Sequence, residues 1–320
     1  MKVTFLSCLM TLWVGMLCAE PARWVSEWPE TDFSKTTVKD WREILSGGLP
    51  KDGSPALTNP RFIPTSEVDL PENEPLIVLE MAGERPRGYP LRYLMWHEIV
   101  NDRIGNMAVA ITFCPLCNSA LSFDRRVGGQ VLEFGVTGEL RHSDMVMYDR
   151  QTQSWWQQAQ GFGLVGAMAG VQLSFVPSWV ESIALFKSRN PNGLVMQEPD
   201  YARQYGRNPY VGYDRSQRPF LFNGDLPPHN IPALSRVVRV GERAWPLERL
   251  RKVKELREAD VVLTWQAGQA SALDDVFLSK GKDVGNIRVQ MLEGQNLPHD
   301  IMFAFAFRAF WPEGQWLLGQ

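Results

Sequence analysis

Three hundred and twenty residues make one large domain or two ordinary ones, a length that buries about three quarters of the surface exposed by the unfolded chain. With 44% hydrophobic and 22% charged residues, the composition excludes a disordered tail, a collagen-like chain and a low-complexity protein. A net charge of −3 without a basic stripe excludes an electrostatic binder of nucleic acid.

The N-terminus reads as an export signal. Lys2 precedes an apolar run from Phe5 to Leu17, and Ala19 offers a small residue for cleavage before Glu20. Residues 1–19 are therefore expected to be a signal peptide cleaved near Ala19, with the mature protein periplasmic or secreted. No later run reaches the length of a membrane span, so no stable span is expected. Residues 20–71 form a leader carrying Pro50, Pro55, Pro60 and Pro64, expected to wrap the surface. Then Leu76 to Met81 reads as a strand. Tyr89-Pro90-Leu91 opens a helix whose apolar stripe is Leu91, Leu94, Met95 and Ile99. Met107 to Phe113 is a strand that runs into Cys114-Pro115-Leu116-Cys117. Further strands follow at Ala120 to Phe123 and at Val131 to Phe134, and Ser143 to Tyr148 reads as extended.

These signals recur. Gly83-Glu84-Arg85, Tyr89-Pro90-Leu91, Ile111-Thr112-Phe113 and Ser119-Ala120-Leu121 are echoed in order by a second set. That set is Gly241-Glu242-Arg243, Trp245-Pro246-Leu247, Leu263-Thr264-Trp265 and Ser271-Ala272-Leu273. The expected fold is therefore α+β and strand-rich, with two related hairpin-helix-strand sub-units packed as one compact unit. The first spans residues 72–230; the second, degenerate one and an aromatic C-terminal segment span 231–320. In the second copy Gln266 and Gln269 replace Cys114 and Cys117, Val253 replaces His97, and Lys254 replaces Glu98. Leu247, Leu250, Val253 and Leu256 make an inward stripe there, so His97 is expected to point inward too.

Cys8 and Cys18 lie in the signal, which leaves Cys114 and Cys117 as the mature cysteines. Three chemistries compete for them. As a metal clip, the two-residue spacing offers two thiolates to zinc or copper, with His97 as a third ligand and Glu98 behind it as the group that orients the imidazole. Met147 and His142 are weaker candidate ligands, and the methionines tilt the metal toward copper. As a thiol-disulfide oxidoreductase, the dithiol needs a following helix to activate Cys114, whereas β pattern follows. As a short structural disulfide, the pair only clips a turn in a binding or assembly module. A protein partner is compatible with that last reading and is not specified by the sequence. No nucleophile elbow, phosphate-cradling glycine loop or His-Glu-x-x-His is present, so the sequence assigns no catalysis.

Several runs together resemble a secreted prokaryotic family known as DUF3179. They are Trp96-His-Glu-Ile-Val-Asn101, Thr112-Phe-Cys-Pro-Leu-Cys-Asn-Ser-Ala-Leu-Ser-Phe-Asp-Arg125, Ser143-Asp-Met-Val-Met-Tyr-Asp-Arg150 and Asn208-Pro-Tyr-Val-Gly-Tyr-Asp214. The resemblance runs from about residue 55 to the Phe-rich C-terminal stretch. It implies a single family unit with His97, Cys114 and Cys117 inside its signature, and it brings no established activity. Asn118 stands where the family more usually has Gly, and His142 where Asn or another residue is common.

Overall fold

The computed structural model describes residues 21–319, so the expected signal peptide lies outside the described residues. The described chain is a five-bladed β-propeller. One blade runs Trp179–Ser182, Pro75–Leu79, Arg87–Pro90, Leu194–Met196, Phe62–Pro64 across the sheet, and a second runs Phe175–Val176, Ser119–Asp124, Met107–Cys114, Ile99–Ile104, Leu57–Thr58. The third is built from Ile44–Ser46, Phe134–Arg141, Asp144–Asp149, Trp155–Gln157 and Phe162–Val165. Two smaller blades use Asp300–Phe303, Arg236–Val240, Arg243–Pro246, Gln315–Trp316 and Glu255–Glu258, Val261–Gln266, Asn286–Met291.

The α+β expectation is thereby overturned, and the reason is instructive. Helices Leu91–His97 and Leu247–Val253 are each seven residues long, too short to form a layer of their own. Each recurring hairpin-helix-strand segment is also no sub-unit, because its hairpin belongs to one blade and the strands after its helix to another. Pro75–Leu79 and Arg87–Pro90 pair in the first blade, while Ile99–Ile104 and Met107–Cys114 pair in the second. Arg236–Val240 and Arg243–Pro246 likewise pair in the fourth blade, and Glu255–Glu258 with Val261–Gln266 in the fifth. The repeated sequence signals encode a blade-to-blade crossover.

Local chemistry explains each part of that crossover. Pro75-Leu-Ile-Val-Leu79 is a continuous apolar run and is buried throughout, as a central strand covered on both faces requires. Pro90 and Pro246 end their strands at φ −58° and −57° and lead into the helices without needing a donor. Glu98 and Lys254 stop the helices in a left-handed conformation, at φ 59° and 69°. The first helix thus ends before Ile99, which begins a strand. The inward stripe expected in the second crossover breaks at Val253, which is 54% exposed.

The Pro-rich leader supplies strands Ile44–Ser46, Leu57–Thr58 and Phe62–Pro64 to the edges of three blades. Edge positions tolerate residues that lack a backbone donor. Trp24 and Trp28 from its start are buried edge-on against Trp155, each with ring centroids 5.3 Å away. The main core is shared by the first four blades and collects Phe113, Cys114, Cys117, Met145, Met147, Val237 and Phe305.

Candidate metal centre

Two hairpin tips from neighbouring blades build the site. Met107–Cys114 turns through four residues into Ser119–Asp124, and Cys114 and Ser119 are the closing pair. Asn118 sits at φ 52° in that turn, its amide N–H donating to Pro115 O at 3.2 Å. A left-handed position accepts Gly or Asn with little strain, which accounts for Asn where the family pattern more usually has Gly. The second tip joins Phe134–Arg141 to Asp144–Asp149, with Arg141 opposite Asp144 and only two residues between. Those two, His142 and Ser143, have φ 51° and 65°, the pair of left-handed residues that a type I′ hairpin turn demands.

The tips meet at Cys114, Cys117 and Asp144. Both cysteines are buried free thiols, and one ligand atom from each of the three residues lies within 4.8 Å of the others. Among the described residues no other three acid, thiol or imidazole groups converge in this way. Ser143 O faces Cys117 Sγ at 3.5 Å and Cys114 Sγ at 3.9 Å. Asp144 Oδ2 accepts from Gln157 Nε2 at 2.6 Å and from the Ala159 amide at 2.9 Å, while Asp144 Oδ1 is buried with no hydrogen-bond partner other than the two thiols beside the carboxyl. Burial lifts the Asp144 carboxyl to about 6 despite those donors. Burial also pushes both thiols up, Cys117 far up, with a neighbouring carboxylate, Asp144, adding to the effect. Three groups that resist ionisation when buried together are the electrostatic setting in which a cation is most stabilising.

The other expected site residues are distributed differently. His97 is fully buried, as its helix position implied, but both ring nitrogens are engaged elsewhere. His97 Nδ1 lies 2.8 Å from Pro55 O, which can only accept, so the proton sits on Nδ1. His97 Nε2 then accepts from Tyr205 Oη at 2.6 Å, and Tyr201 lies against the ring at 4.9 Å. Burial depresses the His97 pKa and keeps the ring neutral. No lone pair is left for an ion unless Tyr205 departs. Glu98 lines a cavity of about 90 Å³ together with Cys114, Met145 and Tyr210. Its Oε1 accepts from Ser54 Oγ at 3.1 Å, and burial lifts its carboxyl to about 7. Met147 is a fully buried core residue paired with Val136 and Trp156. His142 turns its ring toward Phe310 and sets Nε2 3.5 Å from Glu43 Oε2, away from the thiols.

Asp144 was not among the expected ligands, because counting straight through from Arg141 groups it with His142, on the face opposite Met145 and Met147. The turn at His142–Ser143 breaks the strand and separates Asp144 from His142, while the continuous strand Asp144–Asp149 keeps it opposite those methionines. A two-residue polar tip between two apolar runs is the signal that marked this break. Tyr205 lies in an irregular segment without periodic pattern, and Tyr210 was marked only as part of the Asn208-Pro-Tyr-Val-Gly-Tyr-Asp214 run of the family resemblance.

Fold and site together define a β-propeller with a buried dithiol-carboxylate cluster at the junction of two blades. The family model for DUF3179, described as a protein of unknown function, matches residues 51–314, and the chain belongs to that family. No curated protein and no solved structure matches it significantly. No helix among the described residues is long and apolar enough to cross a membrane.

Proposed function

We propose that this protein binds one thiophilic metal ion between Cys114, Cys117 and Asp144, with zinc(II) preferred over copper(I). The observation that carries the reading is the buried Asp144 Oδ1, which faces only the two free thiols and has no other partner, on a carboxylate within 4.8 Å of both sulfurs. A tetrahedral zinc site with Zn–S bonds near 2.3 Å holds its sulfurs about 3.8 Å apart, so a contraction of about 1 Å at most closes the site. Two thiolates and a carboxylate suit a borderline ion better than copper(I), which favours soft donors throughout. Of the methionines that favoured copper, Met147 pairs with Val136 and Trp156 within its blade, while Met145 borders the same cavity as Cys114.

The same geometry weakens the dithiol-exchange alternative. Attack by Cys114 needs a lowered thiol pKa, whereas burial raises it. The residue after the turn, Ser119, opens a strand, so the chain does not run on from the pair into an activating helix. Metal analysis of protein purified without chelators tests the proposal, followed by titration of the stripped, reduced protein with zinc(II) against a chromophoric competitor. One equivalent bound in the parent and none in Cys114→Ser/Cys117→Ser is expected. Failure of the reduced parent to bind either zinc(II) or copper(I) overturns it.

A further inference from the structure

The cavity beside Cys114 has a volume of about 90 Å³, room for several water molecules. Leu49, Leu116, Met145 and Phe220 make most of its wall apolar. Glu139 also borders it, but its carboxylate is paired with Arg23 at 3.1 Å. Glu98 and Tyr210 differ from it. Ser54 Oγ is the sole side-chain donor to Glu98 among the described residues, and it reaches Oε1 and leaves Oε2 free. The Tyr210 hydroxyl has no hydrogen bond to any described residue, so a free carboxylate oxygen and a free hydroxyl, both on half-buried residues, border one small cavity next to a proposed metal ligand.

The backbone does not require a carboxylate there. In the second crossover the same helix-ending position holds Lys254, whose ammonium lies over the Trp265 ring at 3.5 Å on the surface. Three protein ligands also leave a tetrahedral ion one position short, the pattern of zinc sites that exchange a ligand. With a divalent ion, the two thiolates and Asp144 make the centre mononegative, and an ionised Glu98 adds to that charge.

Resting on the metal reading above, we infer that the chamber holds the fourth, exchangeable ligand of the centre. That ligand is a water molecule or a neutral nitrogen or oxygen compound of a few heavy atoms. It gives a lone pair to the metal and donates a hydrogen bond to Glu98. Small anions are disfavoured, because they meet a mononegative centre and a carboxylate and have no proton to donate.

Cobalt(II) loaded into the full chain gives a spectroscopic readout. Imidazole, which carries both a lone pair and an N–H, should shift the visible cobalt bands, and azide at the same concentration should not. Glu98→Gln should leave cobalt stoichiometry unchanged, weaken imidazole about tenfold and tighten azide, as expected when a charge-assisted acceptor becomes a neutral amide. The contrast between imidazole and azide in the parent decides the matter even if the variant does not fold. A cobalt spectrum that responds to neither probe means a closed centre and overturns the inference while the metal reading stands. Absence of cobalt binding in the parent overturns both.

Discussion

The crossover from Pro90 to Cys114 and the one from Pro246 to Gln266 have nearly the same backbone and opposite surroundings. In the first, the Glu98 amide bonds Leu94 O and the Phe113 amide bonds Glu98 O, each at 2.8 Å. In the second, Lys254 bonds Leu250 and Trp265 bonds Lys254 at the same distances. Yet Glu98, His97 and Cys114 stand under cover, whereas Lys254, Val253 and Gln266 are exposed. The difference lies in what is laid over the crossover. The Phe134–Arg141 hairpin and the segment carrying Tyr205 and Tyr210 lie over the first, while the second helix end leaves Val253 and Lys254 exposed. A shared local code therefore builds the scaffold, and long-range packing decides where chemistry is possible.

The sharpest way to break the comparison is to make the first crossover resemble the second. Cys114→Ser/Cys117→Ser should abolish metal binding and remove the thermal stabilisation that zinc(II) gives the parent. That stabilisation amounts to about 4 kcal/mol when free zinc exceeds the dissociation constant a thousandfold. Melting curves with and without zinc measure it, and equal zinc-induced shifts in parent and variant would contradict the site. Asp144→Asn should weaken zinc by more than about a hundredfold, since losing a ligand costs more than losing a group behind one. The metal-free variant should nevertheless be at least as stable as the metal-free parent at pH 8. Asp144 is raised to about 6 in the folded state, so its ionisation above that pH is a folding cost that Asn avoids.

Acid titration sharpens the contrast from the side of the smaller blades. His299 is buried there, with Nδ1 2.8 Å from Leu297 O and its pKa pushed from 6.5 down to about 4 by burial. A depressed histidine pKa means that the unfolded chain binds the proton first. The stability it contributes is complete above pH 6.5 and is lost as pH falls toward 4, by about 3 kcal/mol. Denaturant melts of His299→Gln between pH 4 and 7 should lack that part of the slope. A parallel pair of pH profiles for parent and variant would count against it.

The smallest effect concerns the helix end shared by both crossovers. Lys254 holds φ 69°, where a Cβ is disfavoured. Lys254→Gly should therefore be about 1 kcal/mol more stable than Lys254→Ala, both having lost the contact with Trp265. Equal stabilities in denaturant melts would mean that the left-handed turn carries no strain.

How much of this was legible in the sequence depended on the range of the interaction. The strand Pro75–Leu79, the proline-led helices, the thiol pair at a strand end and the inward His97 all follow from near neighbours in the chain. Local periodicity and turn chemistry specify such features, so the order of elements in the crossover was readable. The architecture was not, because a hairpin, helix and strand have the same local pattern whether they close one sub-unit or step between two blades. Only the pairing of Ile99–Ile104 with Met107–Cys114 in a separate sheet decided that.

The site divides along the same line. Composition and spacing determined that Cys114 and Cys117 sit together at the end of a strand. Tertiary structure alone decided that their third neighbour is Asp144 and not His97. A histidine's availability depends on which distant groups take its two nitrogens, here Pro55 O and Tyr205 Oη. Asp144 reaches the thiols because its hairpin tip meets the Cys114–Cys117 turn of the neighbouring blade. Both are contacts between segments far apart in the chain, and no pattern read along one segment contains them.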